Sequence, residues 1–303
     1  MSQPTPVAPP ALTPVPAPGT APPPAPGSTS ALAPTPPSAS APTPAPARPV
    51  GRRSADLQAV LFDLDGVLAP TADLHRRAWA DLFQAVFAQA GVSQPYSDRD
   101  YFVHLDGRPR QDGVAAVLAS RGLDLPWGDP DDPPERDSVH GLGRRKNQAF
   151  QAALSRHGVQ PYPETVAVTR ALSQAGWDMA VVSSSANAGP VLAACGLTET
   201  FPLVVDGRLA NRLGLAGKPA PDSFLYAARQ LGLGPARAVV VEDARSGVAA
   251  GRAGGFGLVV GVDRGAGRAA LLAAGADLVV NDLTELLDHL TGSDRPSRGR
   301  TVR

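Results

Sequence analysis

The 303-residue chain has little of several features that mark whole classes of protein. It has one cysteine, Cys195, so it cannot form an internal disulfide, and a reducing, cytoplasmic setting is expected. No apolar run reaches the roughly 18 residues that a membrane-spanning helix needs. The 28 basic and 28 acidic residues cancel, which argues against a nucleic-acid partner. We therefore expect a cytoplasmic protein without membrane or nucleic-acid partners, and we expect a monomer.

The first fifty residues lack both aromatic and acidic side chains and hold more than half of the 33 prolines. Such a segment cannot bury enough apolar surface to offset its conformational entropy. Residues 1–54 are therefore predicted to be a disordered, partly polyproline-II arm, with a docking peptide as the alternative. The arm lacks the basic and apolar regions of a signal peptide. Residues 291–303 are polar and basic and are predicted to be a flexible tail.

Most of the remaining chain alternates between short apolar runs and helical periodicity. Val-rich runs without polar alternation, lying between helices, predict a parallel sheet that is covered on both faces, which is a doubly wound, Rossmann-like α/β fold. The predicted strands are Ala59–Phe62, Met179–Val182, Ala238–Val241, Leu258–Val262 and Asp277–Val280. The predicted helices are Glu164–Ala175, Ala188–Cys195, Pro221–Leu231 and Ser246–Ala253.

Residues 71–160 differ because they show helical periodicity and no convincing strand. One stripe is formed by Leu74, Ala78, Leu82 and Val86. This segment is predicted to be a helical cap inserted after the first strand, so that residues 55–70 and 161–290 form the α/β core. The segment from Leu123 to Asp137, rich in Asp and Pro, is predicted to be a loop.

Polar side chains follow three of the predicted strands. The first strand runs straight into Asp63-Leu64-Asp65-Gly66, and burying such carboxylates is costly unless they have a partner. Since the carboxyl ends of parallel strands share one edge, four carboxylates, a hydroxyl and an ammonium group should meet there. The carboxylates would repel one another without a cation, and oxygen ligands favour a hard ion such as Mg²⁺. The residues concerned are Asp63, Asp65, Ser183, Lys218, Glu242 and Asp243.

These residues, in this order, resemble the four motifs of the haloacid dehalogenase superfamily. With charge considerations, the resemblance implies that Asp63 is a nucleophile that is ionised at neutral pH and that Asp65 is the general acid and base. It implies that Ser183 and Lys218 hold the transferring phosphoryl oxygens. Mg²⁺ is expected on Asp63, Glu242 and Asp243, and on Asp65 through its main-chain carbonyl.

Within that superfamily, the cap resembles that of the β-phosphoglucomutase group. The resemblance lies in Thr71 to Trp79 and in Gly107 to Asp112, and it places Arg110 on a distal phosphate. One departure is Ala186, where that group usually has a cation, and Arg108 or Arg212 is a candidate replacement. The residues that the resemblance implies in substrate binding are His75, Gly107, Arg108, Arg110, Lys146, Ser185, Ala186 and Asn187.

Three functions remain open at this point. The first is a phosphomutase that converts β-glucose 1-phosphate through a phospho-aspartate and glucose 1,6-bisphosphate. The second is a phosphatase acting on a small sugar phosphate, which the missing cation at Ala186 keeps open. The third is a non-catalytic interaction protein with a proline-rich arm. Structural alternatives also stand for His75 and Trp79 as packing residues, and for Arg110 as a surface ion pair.

Overall fold

The computed structural model describes residues 56–290, so the predicted proline-rich arm and basic tail lie outside the described residues. Its centre is a six-stranded sheet in the order β3-β2-β1-β4-β5-β6, in which every pairing is parallel. The strands are β1 Ala59–Phe62, β2 Asp178–Val182, β3 Leu203–Val205, β4 Ala238–Glu242, β5 Leu258–Val262 and β6 Leu278–Val280.

Strand β1 shows why these runs are uniformly apolar. Val60 and Phe62 point into one hydrophobic cluster, whereas Ala59 and Leu61 point into another on the opposite face of the sheet. All four are fully buried. A strand that is covered on both faces has no position for an exposed polar side chain, so the polar alternation is lost. The predicted doubly wound α/β fold is confirmed.

Between β1 and the second strand lies a set of helices that we call the helical insertion, Ala72–His157. It packs around its own apolar cluster, in which the rings of Trp79 and Phe83 stack at 5.6 Å and those of Phe83 and Tyr96 also at 5.6 Å. Ser138 caps its longest helix by accepting a hydrogen bond from Gly141 N–H. The helices are α1 Ala72–Gln89, α2 Asp98–Asp100, which continues into a π-helix at Tyr101–Leu105, α3 Arg110–Ala119 and α4 Val139–His157.

The remaining helices cover the two faces of the sheet. Those on one face contribute residues such as Leu172, Val191 and Leu286 to the cluster that contains Phe62. Those on the other face contribute Phe224 and Val248 to the second cluster. The helices are α5 Pro163–Gln174, α6 Ala188–Ala194, α7 Gly207–Leu213, α8 Asp222–Gln230, α9 Arg245–Ala253, α10 Arg268–Ala274 and α11 Thr284–Leu290.

Some elements were not predicted. Strand β3 has only three residues and follows Pro202, so it gives almost no periodic signal. The seven-residue helices α7, α10 and α11 are also too short for a clear pattern. The predicted strand from Asp277 begins one residue later, at Leu278, and the predicted helix bounds differ by one residue at their ends. Within residues 56–290, no helix combines the length and apolar character required to cross a membrane.

The chain order of the strands locates a crevice. From β1 the chain builds outward through β2 and β3, then returns to the other side of β1 and builds β4, β5 and β6. The direction of building therefore reverses at β1, and crevices at such switch points are where open α/β sheets bind ligands. The residues that follow β1, β2 and β4 all face this point.

Candidate active site

The sheet itself fixes the positions of the strand-end residues. Asp63 directly follows β1, and its N–H still donates to Val241 O of β4 at 2.9 Å. Ser183 directly follows β2, and its N–H donates to Val205 O at 3.0 Å. Glu242 is the last residue of β4. The three side chains therefore extend from neighbouring strands of a rigid, buried ladder.

Lys218 is the buried centre of this strand-end cluster. Its Nζ lies 2.6 Å from Asp63 Oδ1 and 2.6 Å from Glu242 Oε1, and it also donates to Val182 O at 3.1 Å. All three of its donor directions are therefore used within the protein. Burial lowers the pKa of Lys218, but Asp63 and Glu242 outweigh burial, and the net shift is upward. The ammonium group stays charged at neutral pH.

Three carboxylates beside Lys218 could hold a metal ion. One oxygen each from Asp63, Glu242 and Asp243 lie within 4.8 Å of one another. Burial raises the pKa of Asp243, and the surrounding carboxylates raise it further, so a cation would be needed to favour the ionised forms. An all-oxygen donor set suits a hard cation. The side-chain oxygens of Asp65, also predicted as a metal residue, lie outside this group.

Gly66 makes room for one of these carboxylates. A Cβ added to Gly66 would lie 1.9 Å from Asp243 Oδ2, and Gly66 has φ +85°, a conformation that favours glycine. Glu242 is held on both sides, because Oε1 accepts from Lys218 and Oε2 accepts from Ala244 N–H at 2.8 Å. Glu242 therefore orients the lysine as well as contributing charge to the acidic group.

Asp65 faces the helical insertion. Thr71 Oγ1 donates to Asp65 Oδ1 at 2.5 Å, and His75 Nε2 lies 3.4 Å from the same oxygen. Ser183 Oγ lies 3.4 Å from Asp65 Oδ2. Burial alone would raise the pKa of Asp65, but His75 and Thr71, with Lys146 beyond them, lower it to about 2. Asp65 is therefore a carboxylate at neutral pH.

Behind His75 lies a second buried lysine. Lys146 Nζ contacts His75 Nδ1 and sits over the rings of Trp79, at 4.8 Å, and Phe150, at 5.1 Å. Burial, together with the charge of Arg110, lowers the pKa of Lys146 well below its usual value. Burial and Lys146 also lower the pKa of His75. Trp79 packs against Lys146 and also lines a cavity between the strand ends and the helical insertion, so it is both a packing residue and a site residue.

Arg110 belongs to an amide network, not to a surface ion pair. Its Nη2 donates to Asn147 Oδ1 at 2.8 Å, and Asn187 Nδ2 donates to the same oxygen at 2.8 Å. Within residues 56–290 no carboxylate lies within ion-pair distance of Arg110. Burial, with the charges of Arg208 and Arg144, lowers the pKa of Arg110 to about 10. A half-buried guanidinium without an anionic partner is suited to bind an anion.

Two cavities meet at Arg110. A cavity of about 70 Å³ lies between the strand ends and the helical insertion, and a larger cleft of about 680 Å³ adjoins it. Arg212, one candidate replacement for the missing cation, is exposed and lines neither cavity. Glu242 and Asn187 are buried and also line neither. Predicted residues in the smaller cavity are Asp63, Asp65, His75, Gly107, Arg108, Arg110, Lys146, Ser185 and Asp243. Predicted residues in the larger cleft are Arg110, Ser183, Ala186 and Lys218.

Three further residues contact the site without having been predicted as site residues. Thr71 binds Asp65, and Asn147 joins Arg110 to Asn187. Asp106 lines the smaller cavity, and burial, with Glu242, raises its pKa to about 7. All three lie in or next to the sequence motifs of the helical insertion, but the residues that they contact depend on how the insertion packs against the core.

The fold and the site together define an α/β enzyme with a carboxylate-rich centre at the switch point of its sheet. The family model described as haloacid dehalogenase-like hydrolase matches residues 57–255. The chain belongs to this haloacid dehalogenase-like hydrolase family, as its four strand-end motifs predicted.

Comparison with individual proteins narrows the relationship. The chain is 47% identical over 241 residues to a β-phosphoglucomutase of Mycobacterium tuberculosis (strain CDC 1551 / Oshkosh), covering 76% of this chain and 92% of that one. It is 31% identical to a fructose-1-phosphate phosphatase of Escherichia coli, covering 66% of this chain and 94% of that one. A phosphate-bound HAD family hydrolase from Deinococcus radiodurans shares the fold with a TM-score of 0.56 and 31% identity, covering 78% of this chain and 96% of that one.

Proposed function

We propose that the protein is a Mg²⁺-dependent phosphomutase that converts β-glucose 1-phosphate to glucose 6-phosphate. The reaction would pass through phospho-Asp63 and glucose 1,6-bisphosphate. The observation that carries the proposal is Arg110, a half-buried cation without a carboxylate partner in the described region, which lines the same cavity as Asp63. A mutase needs two phosphate sites, one at the nucleophile and one at the far end of the sugar. The 47% identity to a β-phosphoglucomutase also supports it.

Asp65 is suited to accept the sugar proton. With a pKa lowered to about 2, it is a carboxylate in the free site and can accept a proton once Asp63 is phosphorylated. The sugar 6-hydroxyl would attack phosphorus and give its proton to Asp65, as the bond between phosphorus and Asp63 breaks. After the bisphosphate turns round, Asp63 would take the 1-phosphoryl group while Asp65 returns its proton to the sugar oxygen. Protons and phosphoryl groups therefore balance over the cycle.

The other residues position the groups that react. Lys218 would hold Asp63 and, by exchanging one of its present acceptors, a phosphoryl oxygen, with Ser183 on a second oxygen. Arg110 and Ser185 would hold the distal phosphate, and Asn187 would help to orient Arg110 through Asn147. Mg²⁺ bound to Asp63, Glu242 and Asp243, with the Asp65 main-chain carbonyl, would offset the carboxylate charge that otherwise repels a phosphate.

The second candidate is a phosphatase for a small sugar phosphate, in which water attacks phospho-Asp63. Ala186 favours it, because a methyl group stands where a cation would strengthen the distal phosphate site. The Escherichia coli fructose-1-phosphate phosphatase, at 31% identity, is similar to this chain as well. Both candidates use the same strand-end residues, so they differ only in the acceptor of the phosphoryl group.

The deciding assay supplies the full chain with β-glucose 1-phosphate, Mg²⁺ and a trace of glucose 1,6-bisphosphate. Glucose 6-phosphate and inorganic phosphate are measured in the same samples. We expect glucose 6-phosphate to form with little release of phosphate. Brisk phosphate release without glucose 6-phosphate would instead establish the phosphatase.

A further inference from the structure

One loop of the helical insertion reaches across to the core. This loop, Asp106-Gly107-Arg108-Pro109, joins the π-helix to α3 and is called the 106–109 loop below. Two core serines donate hydrogen bonds to its main-chain carbonyls. Ser184 Oγ donates to Gly107 O at 2.8 Å, and Ser246 Oγ donates to Asp106 O at 2.8 Å.

Close packing accompanies these two hydrogen bonds. A Cβ on Gly107, which has φ +67°, would lie 2.3 Å from Ser246 Oγ and 2.9 Å from Ala244 Cβ. A Cβ on Gly217 would lie 2.0 Å from Pro109 Cγ. Glycine is therefore required on both sides of the contact, once in the 106–109 loop and once in the core. No bulkier side chain could stand at either position without separating the two surfaces.

The contacts come from the same core segments that carry the proposed phosphoryl-transfer residues. Ser184 directly follows Ser183, and Gly217 directly precedes Lys218. Ser246 lies three residues after Asp243, on the first turn of α9. Each of these core segments therefore carries one residue that faces the phosphoryl group and another nearby residue that contacts the helical insertion. Movement of the 106–109 loop would therefore change the surroundings of the atoms that react.

We propose that Ser184 and Ser246 are positioning residues that hold the 106–109 loop on the core and so direct the phosphoryl group of phospho-Asp63 to a sugar hydroxyl and away from water. This inference rests on the proposed mutase function. When the loop is on the core, the cavity beside Asp63 is only about 70 Å³ and is lined by Gly107 and Arg108. When the loop leaves, water can attack phosphorus, the bond to Asp63 breaks, and inorganic phosphate is released.

The test compares Ser184→Ala, Ser246→Ala and the double variant with the unmodified chain. Each is supplied with β-glucose 1-phosphate, Mg²⁺ and glucose 1,6-bisphosphate, and the ratio of glucose 6-phosphate formed to phosphate released is measured. We expect the ratio to fall about fivefold for each single variant, which is the effect of one ordinary hydrogen bond on the closure equilibrium. The double variant should lose roughly 25-fold if the two contacts add.

Two controls separate positioning from general damage. Ser184→Thr keeps the hydroxyl and should keep the ratio. Ser120→Ala removes a hydroxyl that donates to Val117 O at 2.6 Å within the helical insertion, and it should leave the ratio unchanged. A double variant with the unmodified ratio, or one in which both products fall together at constant ratio, would overturn the inference.

Hydrogen exchange distinguishes failure of the inference from failure of the proposed function. The backbone amides of the 106–109 loop are followed in the full chain with Mg²⁺ and inorganic phosphate. Exchange of the amides of Asp106, Gly107 and Arg108 should quicken in the double variant, because the loop gains access to solvent when it leaves the core. Unchanged exchange would overturn the inference alone, whereas an unmodified chain that releases only phosphate would overturn the mutase function and the partition together.

Discussion

Two buried lysines lie at the site, Lys146 lining the smaller cavity and Lys218 the larger cleft, and their surroundings differ. Lys218, in the core, lies 2.6 Å from carboxylate oxygens of both Asp63 and Glu242, and its pKa is raised. Lys146, in the helical insertion, contacts a histidine and two aromatic rings, and burial lowers its pKa. The core lysine thus carries its counter-ions within the protein. The insertion lysine and the nearby Arg110 do not.

This difference separates the tasks of the two regions. The core cluster is electrostatically organised before any substrate arrives, which suits groups that must act on a phosphoryl group in a fixed geometry. Lys146 and Arg110 of the helical insertion have no carboxylate within ion-pair distance in residues 56–290, so an anionic substrate would supply the missing charge. Substitutions in the core should therefore damage chemistry and folding, whereas those in the insertion should damage substrate handling.

The largest effect is expected at the core nucleophile. Asp63→Asn removes the group that forms the phospho-enzyme, so both glucose 6-phosphate formation and phosphate release should fall by about 10⁴-fold or more. Trapping of radiolabelled phosphate on the protein measures the missing intermediate. Asp73→Asn, at an exposed residue, is the matched control. Retained activity in the Asp63 variant would show that another group is the nucleophile.

The second test compares the lysines directly through stability. Lys218→Met leaves two buried carboxylates without their shared partner, so the free energy of unfolding in metal-free buffer should fall by about 3 kcal/mol. Lys146→Met removes a charge that is not within ion-pair distance of any carboxylate in the described region, and it should change the free energy of unfolding by less than about 1 kcal/mol. Urea unfolding of both variants measures the difference. Equal losses of unfolding free energy in the two variants would show that the core lysine and the insertion lysine do not differ in this way.

The third test concerns substrate handling at Arg110. Arg110→Ala should reduce glucose 6-phosphate formation by about 100-fold, because a charge-assisted pair with a phosphate is lost. Phosphate release from a small phosphate ester should change much less. The rate of glucose 6-phosphate formation by Arg110→Lys should lie between those of the unmodified chain and Arg110→Ala, since lysine keeps the charge and loses the planar guanidinium group. Arg144→Ala, at a half-exposed arginine that pairs with Asp131, should leave both rates unchanged. Parallel losses of the two rates at Arg110 would favour a phosphatase.

The smallest effect is expected at an ion pair inside the helical insertion, between Asp100 and Arg121 at 2.8 Å. Burial would raise the pKa of Asp100, but Arg121 and Ser97 outweigh it and lower the pKa. A carboxyl with a depressed pKa in the folded state contributes stability above its unfolded pKa of about 3.9, and this is lost as pH falls through the folded value.

Asp100→Asn should therefore cost on the order of 1 kcal/mol at pH 7 and progressively less below about pH 4. Urea unfolding at both pH values measures the change. Asp137→Asn removes the exposed carboxylate 3.7 Å from Arg145 and should show no such dependence. A cost at Asp100 that is independent of pH would mean that shape, not charge, matters there.

The residues that the sequence predicted well are those fixed by the sheet. Asp63, Ser183 and Glu242 lie at strand ends, and the shared edge of a parallel sheet brings strand ends together whatever the loops do. The contacts of Thr71, Asn147 and Asp106 could not be predicted in this way. They form where the helical insertion meets the core, and helical periodicity specifies which face of a helix is buried but not which partner it meets. Strand β3 was missed because Pro202 directly precedes its three residues, and a proline beside so short an apolar run argues against a strand.

The position of the helical insertion in the chain also has a consequence for how the protein folds. The central strand β1 pairs only with β2, from Asp178, and with β4, from Ala238, so both of its partners lie far along the chain. Such long-range pairing slows folding, because the entropy of closing a large loop is lost before any stabilising contact forms. The helical insertion, with an apolar cluster of its own, can form earlier during synthesis. We therefore expect the helical insertion to fold while the chain is still being synthesised, before β2 and β4 are available to pair with β1 in the site.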